Sequence, residues 1–186
     1  HGRSLIIYEE VGDKSGIGNS LRNIGSVYWN KGNYDKALDY HNRSLKIEEE
    51  LGDKFGMGGT SNNIGNVYTH TGDYDKAVEY YGKALAIMED IGFKNGVGSI
   101  FNNIGNVYLV QGDYDKALDS FEKSLAINEE IGDKRGIGLA ICNIGIMYSG
   151  KGDYKKAEEY LEKSLSIQKK IGLGGGLSLY TNIYLY

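Results

Sequence analysis

The residue types that most often catalyse reactions or bind metals are few in this sequence. The histidines are His1, His41 and His70, and the single cysteine is Cys142. The histidines do not have a spacing that suits a metal site, and Cys142 lacks a recurring histidine that could activate its thiol. We therefore predict that the chain has no catalytic residue and no metal site, and that it is not an enzyme.

One glycine motif could indicate a nucleotide. Gly16-Ile17-Gly18 matches half of the G-x-G-x-x-G fingerprint that binds a dinucleotide. Leu21 stands where the third glycine belongs, no strand is predicted before the motif, and the motif recurs every 40 residues. We predict no cofactor and assign these glycines a structural role.

The side chains best suited to binding are asparagines at a recurring position, namely Asn23, Asn63, Asn103 and Asn143. A carboxamide donates and accepts hydrogen bonds, so it can pair with a peptide backbone whatever side chains the peptide carries. Neighbours on the same predicted helix face complete the candidate peptide-binding set: Asn62, Asn102, Asn66, Asn106, Arg22, Trp29 and His70. A structural alternative stays open, in which each asparagine bonds an adjacent helix or loop.

These asparagines recur because the whole chain repeats itself with a period of 40 residues, as the spacing of Gly12, Gly52, Gly92, Gly132 and Gly172 demonstrates. Each period contains two stretches with helical three-and-four apolar spacing, joined by a junction short enough to force antiparallel packing. We predict one array over 1–186, with full repeats at 14–53, 54–93, 94–133 and 134–173. Partial repeats at 1–13 and 174–186 indicate a piece of a longer array.

Four further predictions concern local structure. Glycines end the first helices in a left-handed cap and an Asn or Asp begins the second helices, at Gly32, Gly72, Gly112 and Gly152 and at Asn33, Asp73, Asp113 and Asp153. Glycines inside the first helices allow the partner helix to approach closely, at Gly25, Gly65, Gly105 and Gly145. His41 takes a core aromatic position, and the run Glu48-Glu49-Glu50 forms a solvated helix end.

The pattern resembles the tetratricopeptide repeat. That family places a small residue and then Tyr in the first helix, followed by Ala, an aromatic and a small residue in the second, here Gly105, Tyr108, Ala117, Phe121 and Ser124. The period of 40 in place of about 34 residues looks like the variety in spindle-orientation scaffolds, kinesin light chains and bacterial peptide-sensing regulators. The resemblance implies an all-α, right-handed superhelical solenoid of antiparallel helix pairs. It also implies a concave groove in which an asparagine ladder holds a protein or peptide.

Composition narrows the range of partners. The net charge is −4, which argues against nucleic acid because phosphate binding needs a basic surface. No run approaches the roughly 18 apolar residues of a membrane helix, and a single cysteine is compatible with a reducing compartment. We expect a cytoplasmic protein whose partner is neither nucleic acid nor membrane.

The function predicted from these observations is a protein- or peptide-binding scaffold module of a larger protein. The alternative is a structural module that self-assembles end to end. In that alternative, the partial repeat at 174–186 stacks on the partial repeat at 1–13 of a neighbour. The apolar residues that favour it are Tyr180, Ile183, Tyr184, Leu185 and Tyr186.

Overall fold

The computed structural model describes residues 2–172 of the chain. This part forms nine helices and no strand: α1 (Gly2–Val11), α2 (Lys14–Asn30), α3 (Tyr34–Leu51), α4 (Lys54–Thr71), α5 (Tyr74–Asp90), α6 (Lys94–Gln111), α7 (Tyr114–Ile131), α8 (Lys134–Lys151) and α9 (Tyr154–Lys170). Not one of the described helices is long and apolar enough to cross a bilayer. The predicted partial repeat at 174–186, with Tyr180 to Tyr186, lies outside the described residues.

The chain divides into two compact halves, 1–93 and 94–186. In the N-terminal half, α2 pairs with α3 (repeat one) and α4 with α5 (repeat two), while α3 and α2 also pack on α4. In the C-terminal half, α6 pairs with α7 (repeat three) and α8 with α9 (repeat four), while α7 and α6 pack on α8. The predicted all-α fold class, built from consecutive helix pairs, is confirmed.

The two helices of a repeat run antiparallel. At one end of repeat one, Lys14 Nζ lies 2.9 Å from a carboxylate oxygen of Glu50. Further along the pair, the Ser44 hydroxyl donates a 2.7 Å hydrogen bond to the backbone carbonyl of Gly18. The same bond is made by Ser124 to Gly98 and by Ser164 to Gly138. This bond holds the second helix close to the first in repeats one, three and four.

The predicted helix caps are confirmed. The side chain of Asn33 accepts a hydrogen bond from the Lys36 amide, and Asp73, Asp113 and Asp153 do the same at the later second helices. Gly72 ends α4 with φ +81°, in the left-handed region that glycine enters without a steric penalty. The other three predicted cap glycines also have positive φ. Each junction therefore supplies hydrogen-bond partners to backbone groups at both helix ends.

The interior glycines lie where the second helix presses on the first, as predicted. A Cβ built on Gly25 would lie 2.7 Å from the imidazole of His41, and one on Gly65 would lie 2.6 Å from the ring of Tyr81. Phe121 and Leu161 cover Gly105 and Gly145 in the same way. The cost of about 1 kcal/mol for an interior glycine is offset by the burial of a large side chain against the helix backbone.

The prediction for Glu48 is wrong, because this residue is only 2% exposed. Glu48 lies four residues after Ser44 and seven after His41, which puts all three on the buried face of α3. Glu49 and Glu50 are exposed, as predicted. The run itself does not distinguish the three glutamates, but the helical period of α3 places the first of them on the buried face.

Candidate functional site

The first helices of the N-terminal half carry the predicted binding residues on one face. Asn23 on α2 is exposed, and its repeat equivalent Asn63 on α4 is half-buried. The neighbouring Asn62 is also half-buried. Because α2 packs against α4, these asparagines belong to adjacent elements of one surface, which we call the first-helix face.

A cleft of about 150 Å³ opens between α2, α3 and α4. We call it the Trp29 cleft. The Trp29 indole meets the His70 imidazole edge to face, with ring centroids 5.1 Å apart. The fold thus brings together four of the predicted site residues, since Asn63 and Asn66 line the cleft beside Trp29. The full lining is Ser26, Trp29, Asn30, His41, Asn63 and Asn66.

Two ring nitrogens of residues that line this cleft are buried without a hydrogen-bond partner in the described structure, namely Trp29 Nε1 and His41 Nδ1. Burial, and to a smaller extent the positive charge of Arg22, lower the pKa of His41 to about 4. His41 is therefore neutral at pH 7. The cleft has a donor-only indole and an uncharged imidazole in its walls.

Arg22 is engaged within the protein. Its guanidinium donates to Glu48 Oε1 over 2.7 Å and to the side chain of Asn19. The same Glu48 oxygen accepts from the Thr60 hydroxyl over 3.0 Å and also lies 3.0 Å from the Ser44 hydroxyl oxygen. Helices α2, α3 and α4 therefore meet at one buried carboxylate, which explains the position of Arg22 without a ligand.

Repeat two is arranged differently at the equivalent place. The Tyr81 hydroxyl donates to Asn66 Oδ1 over 2.7 Å and lies 3.1 Å from the Thr69 hydroxyl. Burial raises the pKa of Tyr81 to about 12. His70 Nδ1 lies 3.0 Å from the backbone oxygen of Asn66. Asn66 is thus positioned from within its own repeat.

In the C-terminal half, two predicted site residues bond each other. Asn143 Nδ2 donates to Asn102 Oδ1 over 2.8 Å, and the two side chains are only 8% and 7% exposed. This bond is of the kind that the structural alternative describes, because it links α8 to α6. Asn103 and Asn106 on α6 are half-buried. Asn103 lines a second cleft of about 230 Å³ together with Asn102, Asn128 and Leu139.

The groups that could have carried out chemistry are arranged for packing. Burial raises the pKa of the Cys142 thiol, the opposite of what a nucleophile needs. His41, predicted to pack in the core, is 1% exposed. Within residues 2–172 we find no group of three His, Cys, Asp or Glu side chains placed to hold a metal ion.

Sequence reasoning missed that His41 lines the cleft. The available signal was the comparison between repeats, since Tyr81, Phe121 and Leu161 hold the same position. Histidine has the shortest of the three aromatic rings at this position, and it is the only one of the four residues whose side chain contains nitrogen. The burial of Glu48 had a similar signal, because Met88, Asn128 and Gln168 at its position are all uncharged.

The comparison with protein families identifies the fold. One tetratricopeptide repeat model matches residues 1–50 and 96–170, and a second matches residues 60–90. The chain belongs to the tetratricopeptide repeat family, as the sequence predicts. No curated protein sequence matches it.

Solved structures share the fold at low sequence identity. BtubC (BKLC) from P. vanneervenii has a TM-score of 0.77 and 24% identity, over 86% of this chain and 66% of that one. A Rap protein complexed with competence and sporulation factor has a TM-score of 0.79 and 20% identity, over 87% of this chain and 45% of that one. A putative kinesin light chain from Podosopora anserina, with nearly identical TPR-like repeats, has a TM-score of 0.68 and 17% identity. The match covers 84% of this chain and 77% of that one. The chain thus spans less than two thirds of the first two structures.

Proposed function

We propose that the chain is a protein- or peptide-binding scaffold module whose partner lies on the first-helix face and is held there by asparagine side chains. The observation that carries this proposal is the position of Asn23 and Asn63. They occupy equivalent places on adjacent helices, one exposed and one in the lining of a polar cleft. A carboxamide in such a position can bond a peptide group of any sequence.

The spacing of the asparagines suits an extended partner. Packed helices lie about 8–10 Å apart, and α2 packs directly on α4, so equivalent positions on the two helices are separated by about one such step. An extended peptide advances about 3.3 Å per residue. Asn23 and Asn63 would therefore contact peptide groups several residues apart, and the side chains between them would meet Trp29 and His70.

The asparagines divide into two groups under this proposal. Asn102 and Asn143 bond each other and hold α6 to α8. In the N-terminal half the contacts to a partner fall to Asn23 and Asn63, with Asn62 and Asn66 beside them. In the C-terminal half, taken by itself, they fall to Asn103, with Asn106 beside it. Trp29 and His70 supply selectivity, and Arg22 supports the fold through Glu48.

The comparisons favour binding over catalysis. Tetratricopeptide repeats are interaction modules, and one structure of this fold contains a Rap protein complexed with competence and sporulation factor. We propose that this chain binds a protein or peptide, performs no reaction, and acts in the cytoplasm with neither nucleic acid nor membrane as its partner. The predicted division into repeats at 14–53, 54–93, 94–133 and 134–173 is part of this proposal.

The test uses partners chosen by the chain itself. A random peptide library displayed on phage is selected on the chain, and affinities of the selected peptides are measured for Asn23→Ala and Asn63→Ala. A lost hydrogen bond is worth about 1 kcal/mol, so each substitution should weaken binding roughly fivefold to tenfold. The unfolding midpoint should barely move, because Asn23 is exposed and Asn63 half-buried.

Asn42→Ala is the matched control, because Asn42 is an exposed asparagine on the second helix α3. It should leave both affinity and stability unchanged. Selected peptides that bind Asn23→Ala and Asn63→Ala as well as the original chain would show that the asparagines do not hold the partner. A large loss of stability in either variant would favour the structural alternative for that residue.

End-to-end self-association is a second candidate. Helix α1 exposes Ile6, Ile7 and Val11, each by more than half of its side-chain surface. Exposed apolar residues grouped on one short helix favour contact with another chain. Sedimentation velocity at several concentrations should show a species that grows with concentration and is lost in Ile6→Asp. A monomer at every concentration would remove this candidate.

A further inference from the structure

Repeat one and repeat two differ at the point where the Trp29 cleft opens. In repeat two the Tyr81 ring crosses Gly65, and its hydroxyl reaches Asn66 and Thr69. The equivalents in repeat one are His41, Gly25, Ser26 and Trp29. The Nδ1–Cε1 edge of His41 lies over Gly25 much as the Cδ1–Cε1 edge of Tyr81 lies over Gly65.

The shorter ring of His41 explains why the cleft exists. An imidazole over Gly25 stops short of the point that a phenol hydroxyl would reach. Ser26 is also shorter than Asn66, and its hydroxyl is used within α2, donating to the Arg22 carbonyl over 3.2 Å. In repeat two, the neutral Tyr81 hydroxyl occupies this place and contacts Asn66 and Thr69. In repeat one, the same place is a cleft of about 150 Å³.

We infer that the Trp29 cleft is a subsite for an uncharged carboxamide group, such as the side chain of an Asn or Gln in the partner. This inference rests on the proposed function, because the carboxamide would come from the protein or peptide partner proposed there. The carboxamide oxygen would accept from the Trp29 indole N–H, and the group would meet the His41 imidazole with its oxygen or its amino group. A carboxamide can pair with either tautomer of a neutral imidazole, because it both donates and accepts.

The walls of the cleft disfavour a charged ligand. Its lining consists of Ser26, Asn30, Asn63, Asn66, Trp29 and His41, and none of these carries a charge at pH 7. The guanidinium of Arg22 is already bound to Glu48 at 2.7 Å. A carboxylate or ammonium group would lose its hydration without gaining an ion pair, which is costly. A neutral group of the same size bears a much smaller penalty.

The test uses acetamide as the probe and does not need the partner. Trp29 is the only tryptophan of the chain, so its indole N–H gives a single resolved signal in a ¹H–¹⁵N spectrum. We expect acetamide to shift this signal saturably, with a Kd on the order of 10 mM for a ligand of so few atoms. Acetate and methylammonium at the same ionic strength should give no saturable shift.

His41→Tyr should abolish the saturable shift, because it installs the residue that repeat two has at Tyr81. Ser26→Asn, which installs the equivalent of Asn66, is a second way to fill the cleft if His41→Tyr does not fold. Asn42→Ala, the neighbour of His41 on the exposed side of α3, is the control and should keep the shift.

Three results would overturn the inference: a shift that never saturates, saturation by acetate or methylammonium, or saturation by acetamide that persists in both filled variants. Its failure is distinguishable from failure of the proposed function. If acetamide does not bind but selected peptides still depend on Asn63, the carboxamide subsite is wrong and the asparagine face stands. If acetamide binds but the peptides ignore Asn23 and Asn63, only the proposed partner site is wrong.

Discussion

Repeats one and two share a backbone design and differ in what they bury. Both pair two helices of 17 or 18 residues, and both place a ring over an interior glycine. Repeat one buries His41 and Glu48 where repeat two buries Tyr81 and Met88. The two repeats therefore share their helix caps and interior glycines and differ in whether the buried second-helix positions are polar. The polar version lies next to the candidate site.

The two interiors are also held together differently. The Glu48 carboxylate in repeat one receives Arg22 from α2 and Thr60 from α4, and its second oxygen has no partner in the described structure. In repeat two, Met88 packs against Gly58, where an added Cβ would lie 2.6 Å from the methionine methyl group. At this position repeat one is held together by an ion pair and hydrogen bonds, whereas repeat two is held together by apolar packing.

The largest expected effect comes from removing the Glu48 carboxylate. Breaking a buried ion pair by removing one partner typically costs about 3–5 kcal/mol, and Glu48→Ala also leaves Thr60 without its acceptor. We expect a clearly lower midpoint in urea denaturation followed by circular dichroism. The double variant Arg22→Asn/Glu48→Met, which copies Asn62 and Met88 of repeat two, should recover part of the loss, because it removes the unpaired guanidinium but still leaves Thr60 without its acceptor. Wild-type stability in Glu48→Ala would contradict this account of repeat one.

The second effect depends on pH. The folded pKa of His41 is about 4, below the unfolded value of 6.5, so the unfolded chain binds the extra proton first as the pH falls. Stability should therefore be intact above pH 6.5 and decline towards pH 4, by as much as about 3 kcal/mol. His41→Tyr removes this titration. The measurement is the urea midpoint from pH 7 to pH 4 for both proteins, and equal declines would show that His41 is not responsible.

A smaller effect is expected from the hydroxyl in repeat two. Tyr81→Phe keeps the ring over Gly65 and removes the bond to Asn66 and the contact with Thr69. A net loss of about 1 kcal/mol is typical of one intramolecular hydrogen bond. Thermal melting should give a small decrease with an unchanged helical spectrum. If Tyr81→Phe lost as much stability as Glu48→Ala, the interior of repeat two would depend on polar contacts as strongly as that of repeat one, which would contradict the difference described above.

Much of the fold could be predicted because its determinants are local and periodic. Gly72 and Asp73 mark a helix end and the next helix start within two residues, and Gly65 lies on the apolar face of α4. Such features need no knowledge of tertiary contacts. The family resemblance rests in part on the position of Gly65, whose equivalent Gly105 is the small first-helix residue of the family pattern.

The site could be predicted only in part, because its details depend on which side chains meet. Asn143 and Asn102 are 41 residues apart and bond only after α8 packs on α6. The burial of Glu48 is explained by Arg22 and Thr60, which lie on other helices. The Trp29 cleft is lined by His41 where repeat two has the longer Tyr81, and a comparison that looks only for similarity between repeats does not reveal this difference.

The claim that a partner lies on the first-helix face is tested most directly by the fluorescence of Trp29. A peptide selected on the chain and lacking tryptophan is titrated into it while the emission is recorded. Because Trp29 lies beside His70 and Asn63 on that face, the account predicts a saturable change with the same Kd as an independent binding measurement. Tight binding of the peptide with no change in Trp29 emission, and with full affinity retained in Asn63→Ala, would contradict it.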